Sequence, residues 1–238
     1  MIDVWGIFYL FWTLICYLAA KKLFIRTQRI YLSPIIVVPV LSIAMLFIMH
    51  HRFDDYYRYS QYLVTMLGPV TIAFAIPVFR YRQMIQQHFK VLVLSSAMAM
   101  FVSILSTWIL ATMFNLDQIV KNSLLARSIS IPFALVLTEK MGGSSSLMPL
   151  FTVITGLIGM LLGDLILGWT NFKNRISYGA AFGNAAHAMG VARARQRSQL
   201  EGVIASLSMI ISGMMMVLFA PLLITLIKFC YELIYSGY

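Results

Sequence analysis

The chain has 238 residues, 61% of them hydrophobic and 11% charged, with a mean hydropathy of +0.85 and a formal net charge of +10. A soluble domain carries about 25% charged side chains, so the composition excludes an ordinary water-soluble globule and points to a protein built for a bilayer. Its basic excess tracks membrane topology, as the loops below show, and calls for no nucleic-acid partner.

A helix needs about 17 to 25 apolar residues to cross roughly 30 Å of hydrocarbon. Eight runs suggest themselves in chain order, at 4–20, 31–49, 62–79, 91–114, 123–138, 147–169, 176–192 and 203–227, with a short aromatic tail behind the last. The predicted fold is all-α and polytopic, one membrane domain over residues 1–238. In the first run the basic pair Lys21 and Lys22 follows the apolar stretch and no basic region precedes it, so it is expected to stay as a membrane helix and not to act as a signal peptide. Cys16 and Cys230 have no metal or disulfide spacing and are read as packing residues. The stretch HHRFDDYYRYSQY (50–62) mixes both charge signs with tyrosines and reads as an interfacial loop; its histidines and aspartates lack metal-ligand spacing. The runs at 91–114 and 203–227 contain no charge, whereas Arg127 interrupts the fifth, which reads either as a span or as a re-entrant, broken segment. The sixteen methionines, as in MIISGMMMV, read as adaptable packing.

With the N-terminus outside, the inside loops hold eleven basic residues (Lys21, Lys22, Arg26, Arg29, Arg80, Arg82, Lys90, Lys140, Arg193, Arg195, Arg197) and the outside loops five (Arg52, Arg58, Lys121, Lys173, Arg175). The positive-inside bias therefore predicts an N-out orientation, with Arg195 and Arg197 anchored on anionic headgroups.

Sliding the chain by 115 positions sets Pro34 on Pro149, Gly68 on Gly183, Arg80 on Arg195 and Arg82 on Arg197. Two structural repeats are expected, about 1–115 and 116–238, each with a segment prone to break inside the membrane. Gly68 and Pro69 mark the first such segment, Gly183 and Gly190 the second, and Pro132 the fifth run. Broken segments at membrane depth are tolerated where backbone faces protein or a water-filled cavity, the pattern of a transporter site. The competing reading is that these residues only kink or pack ordinary helices. Whether the repeats run parallel or inverted depends on whether the fifth run turns back.

Polar residues inside apolar runs supply the candidate site. His187 shares a helical face with Gly179, Gly183, Gly190 and Ala194, and either satisfies a neighbouring carbonyl or binds an anion and carries a proton. The guanidinium of Arg127 cannot be neutralised, so it either snorkels outward or meets an anion, with Ser128, Ser130 and Pro132 favouring an irregular turn that could share that anion. Asn184 and Thr71 are polar groups in the other two broken segments, and Arg193 is close enough to the glycine face to reach inward. Asp164 reads as a partner of Arg127 or His187, or as a coupling-cation ligand. No phosphate loop, metal motif or nucleophile elbow occurs, so neither enzymatic chemistry nor a cofactor is expected.

The blocks MLGPVTIAFAIPVFR (66–80), NSLLARSISIPFALVL (122–137), TGLIGMLLGDLIL (155–167) and GNAAHAMGVARA followed by EGVIASLSMIISG (183–213) resemble, in the same order, the LrgB/CidB-type membrane proteins. That family includes antiholin-like proteins linked to murein hydrolase control and autolysis, proteins associated with pyruvate uptake, and relatives similar to a plastidic glycolate/glycerate translocator. The resemblance implies a multi-pass protein of the cell's inner membrane working with a small holin-like partner of the LrgA/CidA type. The sequence departs from the family pattern: Arg127 stands at an expected lysine, Asn184 and Ala186 stand in a block often written Gly-Thr-Ala-Ser-His, Val191 stands at a common threonine, and Asp164 at an expected proline. The expectation is a carrier for a small monocarboxylate (pyruvate, glycolate or glycerate), proton-coupled through His187. The opposing expectation is an antiholin-like subunit that restrains a pore-forming partner and carries nothing. A homo-oligomer is left open.

Overall fold

The computed structural model describes residues 4–27, 29–170 and 174–235, and every regular element in them is helical. Five helical stretches among the described residues are long and apolar enough to cross a membrane: Val4–Thr27, Phe53–Arg80, Phe89–Met113, Leu147–Trp169 and Gln199–Leu222, with Pro34–Met49 a shorter apolar helix. The protein is a multi-pass membrane protein. Its contacts divide it into two compact units, Met1–Pro69 and Val70–Tyr238.

In the first unit α1 (Val4–Thr27) packs against α2 (Pro34–Met49) and α3 (Phe53–Thr65). Pro34 opens α2, where a missing N–H costs nothing, and His50 ends it in a left-handed conformation at φ 52°. The expected interfacial loop at 50–62 is largely the helix α3. Asp55 accepts a 3.0 Å bond from the Arg52 amide at its start, and its tyrosines pack on α1. There Tyr9 Oη bonds His51 Nδ1 at 3.0 Å and Thr13 donates to Tyr56 Oη at 3.1 Å. Cys16 is buried and free; the side chain of Cys230 lies outside the described residues.

The third apolar run breaks at Met66, Phe74 and Tyr81, between α3, α4 (Leu67–Ala73), α5 (Ala75–Arg80) and α6 (Arg82–Gln87), and not at Gly68 or Pro69, which sit in the first turn of α4. First-turn amides have no partner in any helix, so Pro69 is harmless there, whereas Pro77 cannot donate to the Ala73 carbonyl and the break at Phe74 results.

The second unit is organised by α7 (Phe89–Met113), which runs from one end of the unit, here termed proximal, to the other, distal. The fifth apolar run does not cross. It is a hairpin of α8 (Gln118–Ala126) and α9 (Ile131–Met141), whose two feet meet at the distal end. Ser123 Oγ accepts from the Ser144 amide at 2.8 Å, Asn122 Nδ2 donates to the Met141 carbonyl, and Lys121 reaches Thr112 at 2.9 Å. Gly142, at φ 68°, supplies the left-handed residue that ends α9.

From the distal end α10 (Leu147–Trp169) returns to the proximal one, and α11 (Arg175–Arg197) follows. This element also fails to cross: at His187 (φ 50°, ψ −129°) it leaves helical geometry and doubles back. The Gly190 Cα consequently lies against the Phe182 carbonyl, and the Arg197 guanidinium stacks over Tyr178 at 4.5 Å. A straight helix would separate those two residues by about 28 Å. The run predicted at 176–192 is thus a hairpin with both feet proximal, which puts Arg175 at the same end as Arg193, Arg195 and Arg197 and Lys140 at the distal end with Lys121. Lys173 lies outside the described residues.

Finally α12 (Gln199–Tyr235) runs from the proximal end past α7, α9 and α11. Glycines set these distances: a Cβ on Gly183 would overlap the Ala205 carbonyl, one on Gly179 would come within 2.7 Å of the Glu201 carbonyl, and one on Gly159 within 3.0 Å of the Ala185 carbonyl. A core of Ile104, Leu125, Ile129, Leu137, Met148 and Met216 fills the distal half. Within residues 89–197 helix α7 is thus followed by a hairpin with distal feet, α8–α9, and α10 by one with proximal feet, α11. Gly68, which the 115-residue register sets on Gly183, has open space around it, whereas Gly183 is tightly packed.

Candidate functional site

The tips of the two hairpins meet between α7 and α10. Hairpin α8–α9 turns through Arg127–Ser130, where helical hydrogen bonding lapses before Pro132 in the first turn of α9. Hairpin α11 turns at His187, which lies close to Arg127. A positive φ is costly for a side chain with a Cβ. The flanking residues are tightly packed, with α10 close at Gly156 and Gly159 and α12 close at Gly183. His187 is 3% exposed and neither ring nitrogen completes a hydrogen bond of normal geometry; Ser130 Oγ is likewise buried and unbonded.

Arg127 extends from its tip between two long helices. One terminal nitrogen donates to Thr155 Oγ1 on α10 at 2.9 Å and the other to Thr107 Oγ1 on α7 at 3.3 Å. No carboxylate pairs with it among the described residues. A guanidinium offers five N–H donors, so most of its capacity remains. It lines a cavity of about 590 Å³ together with Ser95, Ser103, Ser128, Thr155, Ser177 and Asn184, and with apolar residues of α7 and α11 such as Met98, Val102 and Ala181. Ser103 and Ser128 are hydrogen-bonded to each other across the α7–hairpin seam. Asn184 is fixed by its own pair of bonds, donating to Ser95 at 3.3 Å and accepting from Ser96 at 3.2 Å. Among the described residues Arg127 is the only ionisable one in that lining, which otherwise presents hydroxyls, an amide and methyl groups.

Of the residues singled out from sequence, Arg127, Ser128 and Asn184 line the cavity, and His187 and Ser130 sit at the tips without lining it. The departure from helix falls at His187, while Gly183 and Gly190 lie within the hairpin arms as close-approach positions. Arg193 does not turn inward. It bonds Asp164 through Nε and a terminal nitrogen at 2.6 Å each, and Arg197 bridges Asp164 at 3.2 Å and Glu201 at 3.0 Å. Asp164 therefore pairs with Arg193 and Arg197, and with neither Arg127 nor His187, because it lies near the proximal end of α10 where the outer arm of α11 descends. Thr71, half-buried on α4, is not part of the cavity. Sequence reasoning missed Ser95, Ser103, Thr107, Thr155 and Ser177. The available signal was the spacing of Ser95, Ser103 and Thr107, which repeats along one face of a run without charge.

Comparison with known proteins places the chain. The model of a family described as LrgB-like matches residues 13–226. Bacillus subtilis YwbG is 32% identical over 220 residues, covering 92% of this chain and 98% of its own. The antiholin-like protein LrgB of the same organism is 32% identical over 206 residues (86% and 89%), and the holin-like protein CidB of Staphylococcus aureus 26% over 214 residues (90% and 93%). No solved structure matches it. The chain belongs to the LrgB-like family.

Proposed function

We propose, with membership of the LrgB-like family as the premise, that the chain is a membrane carrier for a small monocarboxylate of the pyruvate, glycolate or glycerate type. The observation that carries this reading is Arg127, a permanent cation between α7 and α10 with hydroxyl partners, no carboxylate partner and an open cavity before it. A second carboxylate on the substrate would find no second cation in the lining, which favours monoanions over dicarboxylates. One charge pair at contact distance is worth about 4 kcal/mol at an effective dielectric of 20. Taken alone that corresponds to about millimolar affinity, suited to a solute that must also be released. Hairpins inserted from opposite ends, with tips meeting at a polar cavity, fit alternating access around a fixed site. His187, buried beside Arg127 without a completed hydrogen bond, is the group assigned to proton coupling.

In this reading the proximal end of the second unit, with Lys90, Arg175, Arg193, Arg195 and Arg197, faces the cytoplasm and the N-terminus lies outside, in the cell's inner membrane. The test is uptake of labelled pyruvate, glycolate and glycerate by proteoliposomes holding the purified chain under a pH gradient. Saturable, gradient-driven uptake of at least one supports the carrier, and no uptake of any overturns it.

A second reading is favoured by the names of two relatives, antiholin-like LrgB and holin-like CidB. The chain would act in control of murein hydrolases and autolysis, by restraining a small holin-like membrane partner. It requires partner-dependent leakage in cells without saturable solute uptake.

A further inference from the structure

We infer that the Arg127 site is open to the proximal, arginine-rich end and sealed from the distal end, so that the described conformation is one of two access states. The inference takes its meaning from the carrier reading, but the geometry behind it is independent of transport. The cavity wall on α7 extends from Val91 to Ser103, and on the inner arm of α11 from Ser177 to Ala185. At 1.5 Å per residue the lining reaches about 18 Å along α7, from near its proximal end to Ser103. Hairpin α8–α9 contributes only its tip, Arg127 and Ser128, and α10 only Thr155.

Beyond these residues buried side chains lie toward the distal end. One position past Ser103, Ile104 is 1% exposed, and the next distal turns of α7 and α10 bring Thr107 and Thr152, both buried. Met148, Leu125 and Leu137 then close the space between α10 and the hairpin arms, each at 1% exposure or less. A solute at Arg127 can leave distally only if hairpin α8–α9 separates from Ile104 and Met148. The proximal ion pairs do not close the passage, because Asp164, Arg193, Arg197 and Glu201 tie the outer arm of α11 to α10 and α12, whereas the passage runs along the inner arm and α7.

The test is thiol labelling of the full chain in membranes, in a Cys16→Ala, Cys230→Ala background. Ser128→Cys reports on the deep end of the cavity, and Ala181→Cys, on the same wall, carries the test where Ser128→Cys does not accumulate. Arg195→Cys marks the proximal face and Gln118→Cys the distal face. A sulfonated, membrane-impermeant methanethiosulfonate is applied to each face in turn. Modification of the cavity cysteine is expected to be at least about tenfold faster from the Arg195→Cys face, matching a minor state populated at 10% or below. Equal rates from both faces, faster labelling from the Gln118→Cys face, or reaction only with a membrane-soluble maleimide would each overturn the inference. Loss of uptake with one-sided labelling intact removes the carrier reading and leaves the one-sided cavity standing.

Discussion

The guanidinium of Arg197 stacks over the ring of Tyr178 at 4.5 Å, and this one contact establishes that α11 is folded double. It brings the feet of the hairpin together at the proximal end and sends His187 to its tip, beside the tip that bears Arg127.

The doubled geometry predicts a cross-link. Tyr178→Cys with Arg197→Cys is expected to be joined efficiently within one chain by a bifunctional maleimide much shorter than the 28 Å or so that a straight helix would impose. Mass analysis of the proteolysed product reads the result, and absence of the intramolecular link contradicts the hairpin.

Close backbone approach makes the arm glycines sensitive. Gly183→Ala must displace the Ala205 carbonyl and is expected to cost about 1–3 kcal/mol, lowering Tm in detergent by several degrees. Gly68→Ala, with nothing within 4 Å of the added methyl, is expected to leave Tm unchanged. Equal losses at the two positions would contradict the different packing described for them.

Much of this site was legible in the sequence because charge and amide groups in apolar runs are rare. Arg127, Asn184 and His187 stood out on that ground and the structure brings them to one level. A break in this segment was legible from Gly183 and Gly190, but its position was not, since glycine and proline normally signal a reversal and here the chain folds back on a histidine with φ 50°. The lining hydroxyls were equally silent. A serine or threonine in a membrane helix commonly bonds a carbonyl of its own helix, as Ser95 does with Leu92, so Thr107 and Thr155 carry no distinguishing mark until Arg127 is seen between them. Asp164 misled for a related reason: its partners lie on an arm whose direction the sequence does not reveal.

Thr155 holds the guanidinium in place, so its loss is expected to act through Arg127. Thr155→Val keeps the shape and removes the acceptor; a hydrogen bond to a charged group is worth about 1.5–3 kcal/mol, giving a rise in transport KM of roughly tenfold or more with Vmax less affected. Thr155→Ser, which keeps the hydroxyl, is expected to restore most of the affinity. Identical defects in both variants would indicate packing and not positioning.

Proton coupling assigns different outcomes to His187 and Asp164. With His187 carrying the coupled proton, uptake by the wild type is expected to rise as the pH on the loading side falls. His187→Gln is expected to flatten that dependence. Asp164→Asn, which loosens the contacts to Arg193 and Arg197, is expected to lower stability modestly and leave the pH profile in place. A flattened profile in Asp164→Asn alone would transfer the coupling role to the carboxylate.

The central claim is that Arg127 receives the carboxylate, and thermal denaturation with added ligand tests it most directly. Pyruvate, glycolate or glycerate at about 100 times its Kd stabilises a binding-competent fold by about 2.7 kcal/mol, so at least one of them is expected to raise the Tm of the detergent-solubilised wild type. The same anion is expected to leave Arg127→Gln unmoved, and a dicarboxylate of similar size to shift neither protein. An equal rise in wild type and Arg127→Gln, or no rise with any of the three, would contradict the account.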